Sequence, residues 1–368
     1  MESERDRVFS RLREITGKNP VWIVGTGAPC GVSTDFGMPA LAKHLIEAFD
    51  DDGSWLADEK QAWDAISNDL SQNPDLETAL QKNKVPDGLM RRIVAKTGDF
   101  VASIEKQSRV AGWGRTSQPW PLEGLLRAMQ GEANESDEHA ITIVTTNYDC
   151  LIEHACDRLQ LPVCTGFVGR ISCRYDWGRA IGEMRELPSG SGPGKVKSKQ
   201  RWPFRPHVRL LKPHGSLDWF ERDGETWSDP SRMYEPNTAK EPRKVITPGL
   251  QKYEEGFKGR HFDMFSHCRS AFNKAGAFLF IGYGFNDSHV NDASNIESRL
   301  KAARIPGLII THSLSDQAMR LLQECPRLWA VSSDKSNGAI VQQGTVIKFK
   351  DPAKELWKID QYVTEVLE

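Results

Sequence analysis

Val21-Trp22-Ile23-Val24-Gly25-Thr26-Gly27-Ala28 is an apolar, largely β-branched run that stops abruptly on a pair of glycines. A run of this kind reads as a strand buried on both faces, and the glycines read as the tight turn after it. Beyond the turn, Pro39 suits a helix start, and Leu41, Leu45, Ile46 and Phe49 share one helical face. The unit is strand, glycine loop, helix. Strand-like text returns at Ile141–Thr145, Val208–Leu211, Ala277–Ile281, Gly307–Ile310 and Thr345–Lys348. Leu151, Ala155 and Leu159 mark a helix directly behind the second strand. Strands alternating with helices predict an α/β, Rossmann-like fold with a mostly parallel sheet and helices on both faces.

The stretch between the first two strands differs in character. Asn73-Pro74 reads as a cap followed by proline at the first helical position. Leu89, Ile93, Phe100, Val101 and Ile104 keep a helical period, and so do Leu122, Leu125, Leu126 and Met129 before Gly131. The expected organisation is a discontinuous domain over 1–49 and 138–350, a helical insertion over 50–137 and a C-terminal helix over 351–368. Leu187–Gly194, rich in Gly, Ser and Pro, reads as a flexible loop.

With 48 Lys plus Arg against 50 Asp plus Glu, the net charge is -2, which argues against a polybasic nucleic-acid coat or an acidic tail. Met1–Asn19 is charged throughout, so no secretory or transit segment is expected there. No apolar run approaches the ~20 residues of a membrane span. The seven cysteines contain no C-x-x-C pair, which reads as reduced thiols in a cytosol and gives no close-paired zinc site.

In an open parallel sheet, ligands sit beyond the carboxyl ends of the strands, so the residues just after each strand are informative. After the first come Gly25, Thr26, Gly27 and Ala28, small enough to let backbone N–H groups approach a pyrophosphate or simply to reverse the chain. After the second come Thr145-Thr146-Asn147-Tyr148-Asp149, where Asn147 and Asp149 also read as caps for the next helix. Lys212-Pro213-His214-Gly215-Ser216 comes after the third, and Gly282-Tyr283-Gly284-Phe285-Asn286-Asp287 after the fourth. Alone, His214 reads better as a structural histidine, and Asp287 also reads as a helix cap.

Taken in order, these blocks resemble the sirtuin superfamily of NAD-consuming enzymes. Its glycine turn G-A-G-x-S is similar to Gly25-Thr26-Gly27-Ala28, and its G-[IL]-P to Gly37-Met38-Pro39. Its T-x-N-x-D matches Thr145 to Asp149, its K-x-H-G matches Lys212 to Gly215, and the late G-Y-[SG]-F-x-D of bacterial sirtuin-like proteins matches Gly282 to Asp287. Two departures stand out. Sirtuin deacylases follow the proline with Asp-Phe-Arg, whereas Pro39 is followed by Ala40-Leu41-Ala42, and they carry a four-cysteine zinc module where this chain has Cys268 alone between His214 and Gly282. The pattern is closer to the zinc-free sirtuin-like proteins of bacterial anti-phage systems, which cleave NAD to nicotinamide and ADP-ribose.

The resemblance implies a zinc-free NAD glycohydrolase, a homo-oligomer paired with a HerA-type ATPase. It implies catalytic roles for Asn147, His214 and Asp149, and NAD binding by Gly25, Thr26, Gly27, Ala28, Thr146, Gly282, Tyr283, Gly284 and Asp287. Asn147 would order water and a ribose hydroxyl, and His214 would act as general base. The alternatives are an NAD-dependent deacylase or ADP-ribosyl transferase, which needs a second substrate, and a non-catalytic nucleotide-sensing or nucleic-acid-binding subunit, which binds without turnover. Gly190–Val196 imitates a P-loop but is a residue short and interrupted by Pro193. Lys195, Lys197, Lys199, Arg201, Arg205, Arg209 and Lys212 form a basic run, read as a solvated loop or as a nucleic-acid or protein contact. Asp287 and His289 have no readable third partner, so no metal site is expected.

Overall fold

The computed structural model describes residues 3–50, 53, 55–113, 120, 122–135, 140–186, 202–238, 240–245, 260–287, 290–291, 296–302, 305–334, 336 and 338–368. The first helix, α1 (Glu4–Thr16), starts at a capping box in which Ser3 and Asp6 satisfy each other's backbone N–H. It is followed by β1 (Val21–Val24), all four residues of which are buried. Next come the helices α2 (Met38–Asp50), α3 (Ala57–Gln72), α4 (Leu76–Lys82), α5 (Asp87–Trp113) and α6 (Glu123–Glu135). The chain then forms β2 (Ala140–Thr145), α7 (Leu151–Leu159), β3 (Val163–Cys164), β4 (Phe167–Val168), β5 (Cys173–Tyr175) and α8 (Trp177–Glu183). After these come β6 (His207–Leu211), β7 (Gly215–Arg222), β8 (Glu225–Ser228), β9 (Arg243–Val245), α9 (Arg260–Lys274) and β10 (Phe278–Ile281). The last third holds α10 (Ile296–Lys301), β11 (Gly307–Ile310), α11 (Asp316–Glu324), β12 (Leu328–Ser333), β13 (Ala339–Gln343), β14 (Val346–Asp351) and α12 (Ile359–Tyr362).

The main sheet has the order β14-β13-β12-β11-β10-β1-β2-β6-β3. From β12 to β3 every pairing is parallel, while β13 and β14 close one edge antiparallel. The expected mostly parallel α/β sheet is present. Successive residues of β1 serve opposite faces: Trp22 and Val24 join the core beneath α1, α6 and α7, and Val21 and Ile23 join the core beneath α9, α10 and α11. Both faces of the sheet are therefore covered, which is why its strands read as continuous apolar runs. Beside β1 the chain steps to β2 on one side and later to β10 on the other, and this reversal opens a crevice at the strand ends.

Several expectations need correction. The helix after Asn73-Pro74 is capped by Asp75, whose side chain accepts from Thr78 N–H, so the cap lies two residues later. The last strand pairs antiparallel and runs to Asp351, so the C-terminal helix expected over 351–368 begins only at Ile359. The helical stretch 50–137 divides in its packing. The α3, α4 and early α5 residues form an apolar cluster with α2, whereas Leu122, Leu125, Leu126 and Met129 of α6 pack into the main sheet's core.

A second sheet, β4-β5-β8-β7-β9, is antiparallel and was not anticipated. Its sequence signal is Asp223-Gly224 between β7 and β8, both at positive φ, the pair a tight hairpin demands. Three of its strands, β7, β8 and β9, occupy the stretch after His214 in which the resemblance would place a zinc module. Buried Arg243 ties this sheet to α5, donating to Asp99 Oδ1 at 2.8 Å and to the carbonyls of Leu217, Met233 and Glu235. The flexible loop and P-loop imitation at 187–196, with Lys195, Lys197, Lys199 and Arg201, lie outside the described residues.

Candidate functional site

The carboxyl ends of β1, β2, β6 and β10 meet around a cleft of about 470 Å³, within the size range of small-molecule sites. Gly25, Thr26, Thr146, Asn147, Asp149, His214, Gly282, Tyr283, Gly284 and Asp287 all line it. Of the residues anticipated from sequence, Gly27 and Ala28 stand outside that lining.

Those two turn residues have a different role. Gly27 N–H donates to Gly282 O at 3.0 Å, Gly25 N–H to Ile281 O at 3.0 Å, and Ala28 N–H to Gly25 O at 3.0 Å. A Cβ on Gly25 would sit 2.6 Å from Gly282 O, and one on Gly27 2.7 Å from Gly282 Cα. The glycines thus let two strand-end turns press backbone to backbone, and three of the amides expected for a pyrophosphate are already engaged.

Asn147 stitches β2 to that turn: its Nδ2 donates to Gly25 O at 3.0 Å, and its N–H donates to Thr145 Oγ1, which in turn donates to Val24 O. Its amide oxygen is left for a ligand, and the side chain does not cap α7. Asp149 does: its Oδ1 accepts from Leu151 N–H at 3.2 Å. Burial pushes the Asp149 carboxyl up to about 7, against the pull of Lys212. Lys212, only 1% exposed, donates from Nζ to Asp149 O at 2.6 Å, Glu153 Oε1 at 2.8 Å and Ser216 Oγ at 2.9 Å. It is therefore removed from the basic run and belongs to the interior, where it holds the Asn147–Asp149 loop in place.

His214 Nε2 lies 3.0 Å from Asp287 Oδ2, with both residues buried. Asp287 uses its other oxygen to accept from Val290 N–H at 2.9 Å, so it is a helix cap as well. With Nε2 facing Asp287, the other ring nitrogen, Nδ1, has no hydrogen-bond partner among the described residues. Gly215 makes the turn possible at φ +83, where a Cβ would fall 2.0 Å from Lys244 O.

Sequence reading missed the residues that the helical stretch brings to the cleft, among them Asp75, Glu77 and Thr97. Burial, helped by Asp287 and Asp75 and opposed by His214, pushes the Glu77 carboxyl up to about 7. No periodicity or motif marks Glu77, because its neighbours in space come from distant strand ends. Among the described residues no cluster of three His, Cys, Asp or Glu could hold a metal ion, and His289 lies outside them. Nor is any described helix long and apolar enough to cross a membrane.

A family model described as SIR2-like domain matches residues 141–325, from β2 to just past α11. Solved structures are similar at low identity. A Sir2 homolog–NAD complex is 11% identical, with 98% of this chain and 95% of that chain covered and a TM-score of 0.40. Sir2Tm bound to a propionylated peptide is 9% identical, with 84% and 88% covered and a TM-score of 0.37. No curated protein sequence matches the chain.

Proposed function

This chain belongs to the SIR2-like domain family, and from that footing we propose that it hydrolyses NAD to nicotinamide and ADP-ribose in the cleft at the strand ends. The observation that carries the reading is the meeting of Asn147 with the buried His214–Asp287 pair in one cleft.

Cleavage of the ribosyl–nicotinamide bond develops positive charge on the ribose, and the pyridinium leaves as neutral nicotinamide without needing an acid. The protein must hold the ribose, place a water and take its proton. Asn147, anchored through Nδ2, offers its amide oxygen to water or a ribose hydroxyl. His214 Nδ1 accepts the proton of the attacking water, and Asp287 steadies the imidazolium that forms. Asp149 and Lys212 act behind these groups, holding the Asn147 loop.

Purified protein incubated with NAD alone should release nicotinamide, and a strict need for an acyl-peptide would favour a deacylase instead. The resemblance extends the proposal to a zinc-free homo-oligomeric effector of anti-phage defence with a HerA-type ATPase partner. Co-purification of the two proteins, and loss of cellular NAD on phage challenge only when both are present, would test that role.

A further inference from the structure

We propose that Glu77, carried to the cleft by α4, is a further catalytic residue whose carboxylate faces the ribosyl group as it becomes cationic. This rests on the hydrolase reading. That reading supplies a base and a means of positioning water, but no uncommitted negative charge for the cation. The other carboxylates lining the cleft are engaged: Asp287 with His214 and Val290 N–H, Asp149 with Leu151 N–H, and Asp75 with Thr78 N–H and Oγ1. Glu77 has one hydrogen-bond partner among the described residues, the Gln81 amide, which donates to Oε1 at 3.3 Å, and Oε2 is left over. No Lys or Arg is among the described residues lining the cleft, so no cation neutralises it there.

Glu77, His214 and Asp287 line the same cleft, which puts the Glu77 carboxylate among the groups around the breaking bond. In the step, the C1′–N bond breaks with its electron pair leaving on nicotinamide, and the oxygen of water bonds to C1′. One water proton passes to His214 Nδ1 and then to solvent. Glu77 forms no covalent bond and acts through its charge, which counts for more in a partly desolvated cleft than in water.

The groups facing it come from four elements: Asp75 at the start of α4, Tyr148 beyond β2, His214 beyond β6, and Tyr283 and Asp287 beyond β10. Burial and the neighbouring carboxylates hold its proton to about 7, so Glu77 ionises and becomes useful as pH rises through neutrality.

The test is steady-state NAD hydrolysis by the full chain, followed by nicotinamide release from pH 5 to 9. Glu77→Gln keeps the shape and removes the charge, and should lower kcat about 10- to 100-fold while KM changes less than about threefold. Below neutrality the wild-type log(kcat/KM) should fall more steeply than the variant's, because Glu77 takes a proton there. Glu77→Asp, which keeps the charge, should retain at least about a tenth of wild-type kcat. Equal losses in the Gln and Asp variants would make Glu77 a packing residue, and wild-type kcat with an unchanged acid limb in Glu77→Gln would also overturn the role. Wild-type protein that releases no nicotinamide overturns the hydrolase reading itself, whereas an active wild type with unaffected variants overturns only this inference. Calorimetric titration with ADP-ribose, which lacks the cationic ring, should give similar affinity for wild type and Glu77→Gln.

Discussion

A histidine becomes a useful base only if its proton is held at one nitrogen, and Asp287 Oδ2, 3.0 Å from His214 Nε2, is placed to do this. Asp287→Asn removes the charge that steadies imidazolium and offers an amide N–H that would favour the other tautomer. We expect kcat to fall about 10²- to 10⁴-fold with KM little changed. A merely structural role for Asp287 would cost folding stability and leave kcat near wild type. Asn147→Ala and His214→Ala should each lower NAD cleavage by about 10² or more with circular dichroism unchanged. Near-normal turnover in both would move the site elsewhere. Asn147 and His214 were legible in sequence because each comes after a strand-like run in a short polar block. The partnership of Asp287 with His214 was not, since nothing local to Gly282–Asp287 reveals which distant strand end it faces.

At the scale of elements, the site depends on loops pinned from behind. Lys212, at the end of β6, reaches under the β2–α7 loop and joins Asp149 O, Glu153 and Ser216. Burial works against its charge, yet Glu153 and the neighbouring acids hold its pKa above the ordinary lysine range. Lys212→Met fills the space and leaves those acids without a cation. Equilibrium urea unfolding should show a loss of about 3–5 kcal/mol, the cost of breaking a buried pair from one side. A change below about 1 kcal/mol would mean that the acids are neutralised without Lys212. The lysine was visible in sequence only as part of a basic run, because burial is a property of the packed sheet and not of composition. The hairpin at Asp223-Gly224 shows the opposite case, a local signal strong enough to place β7 and β8 beside each other.

The whole molecule sets an acidic interior behind its cleft. The parallel sheet was legible because strands buried on both faces must be apolar throughout, while β13 and the small sheet were not, their alternating or short runs carrying less signal, and β12, buried from Leu328 to Ser332, has an apolar run that ends in two serines. Around the β2–α7 loop this packing gathers Asp149, Glu153 and Asp218 near Lys212, with Glu105 beside Asp149, more acids than that single lysine can balance. Burial raises Glu153, and pushes both Asp149 and the cleft's Glu77 up to about 7. A carboxyl raised in the folded state keeps a proton that the unfolded chain has released, so its contribution to stability is full below about pH 4 and is lost as pH rises towards 7. Unfolding free energy from denaturant titrations should therefore decline between about pH 4 and pH 7, with Asp149 alone accounting for on the order of 2–4 kcal/mol. Asp149→Asn, neutral throughout and still able to accept from Leu151 N–H, should flatten that decline and match or exceed wild-type stability at pH 8. If wild type and variant fall in parallel, Asp149 is ionised in the folded protein at neutral pH, and the proton must reside on Glu153 or another member of the cluster.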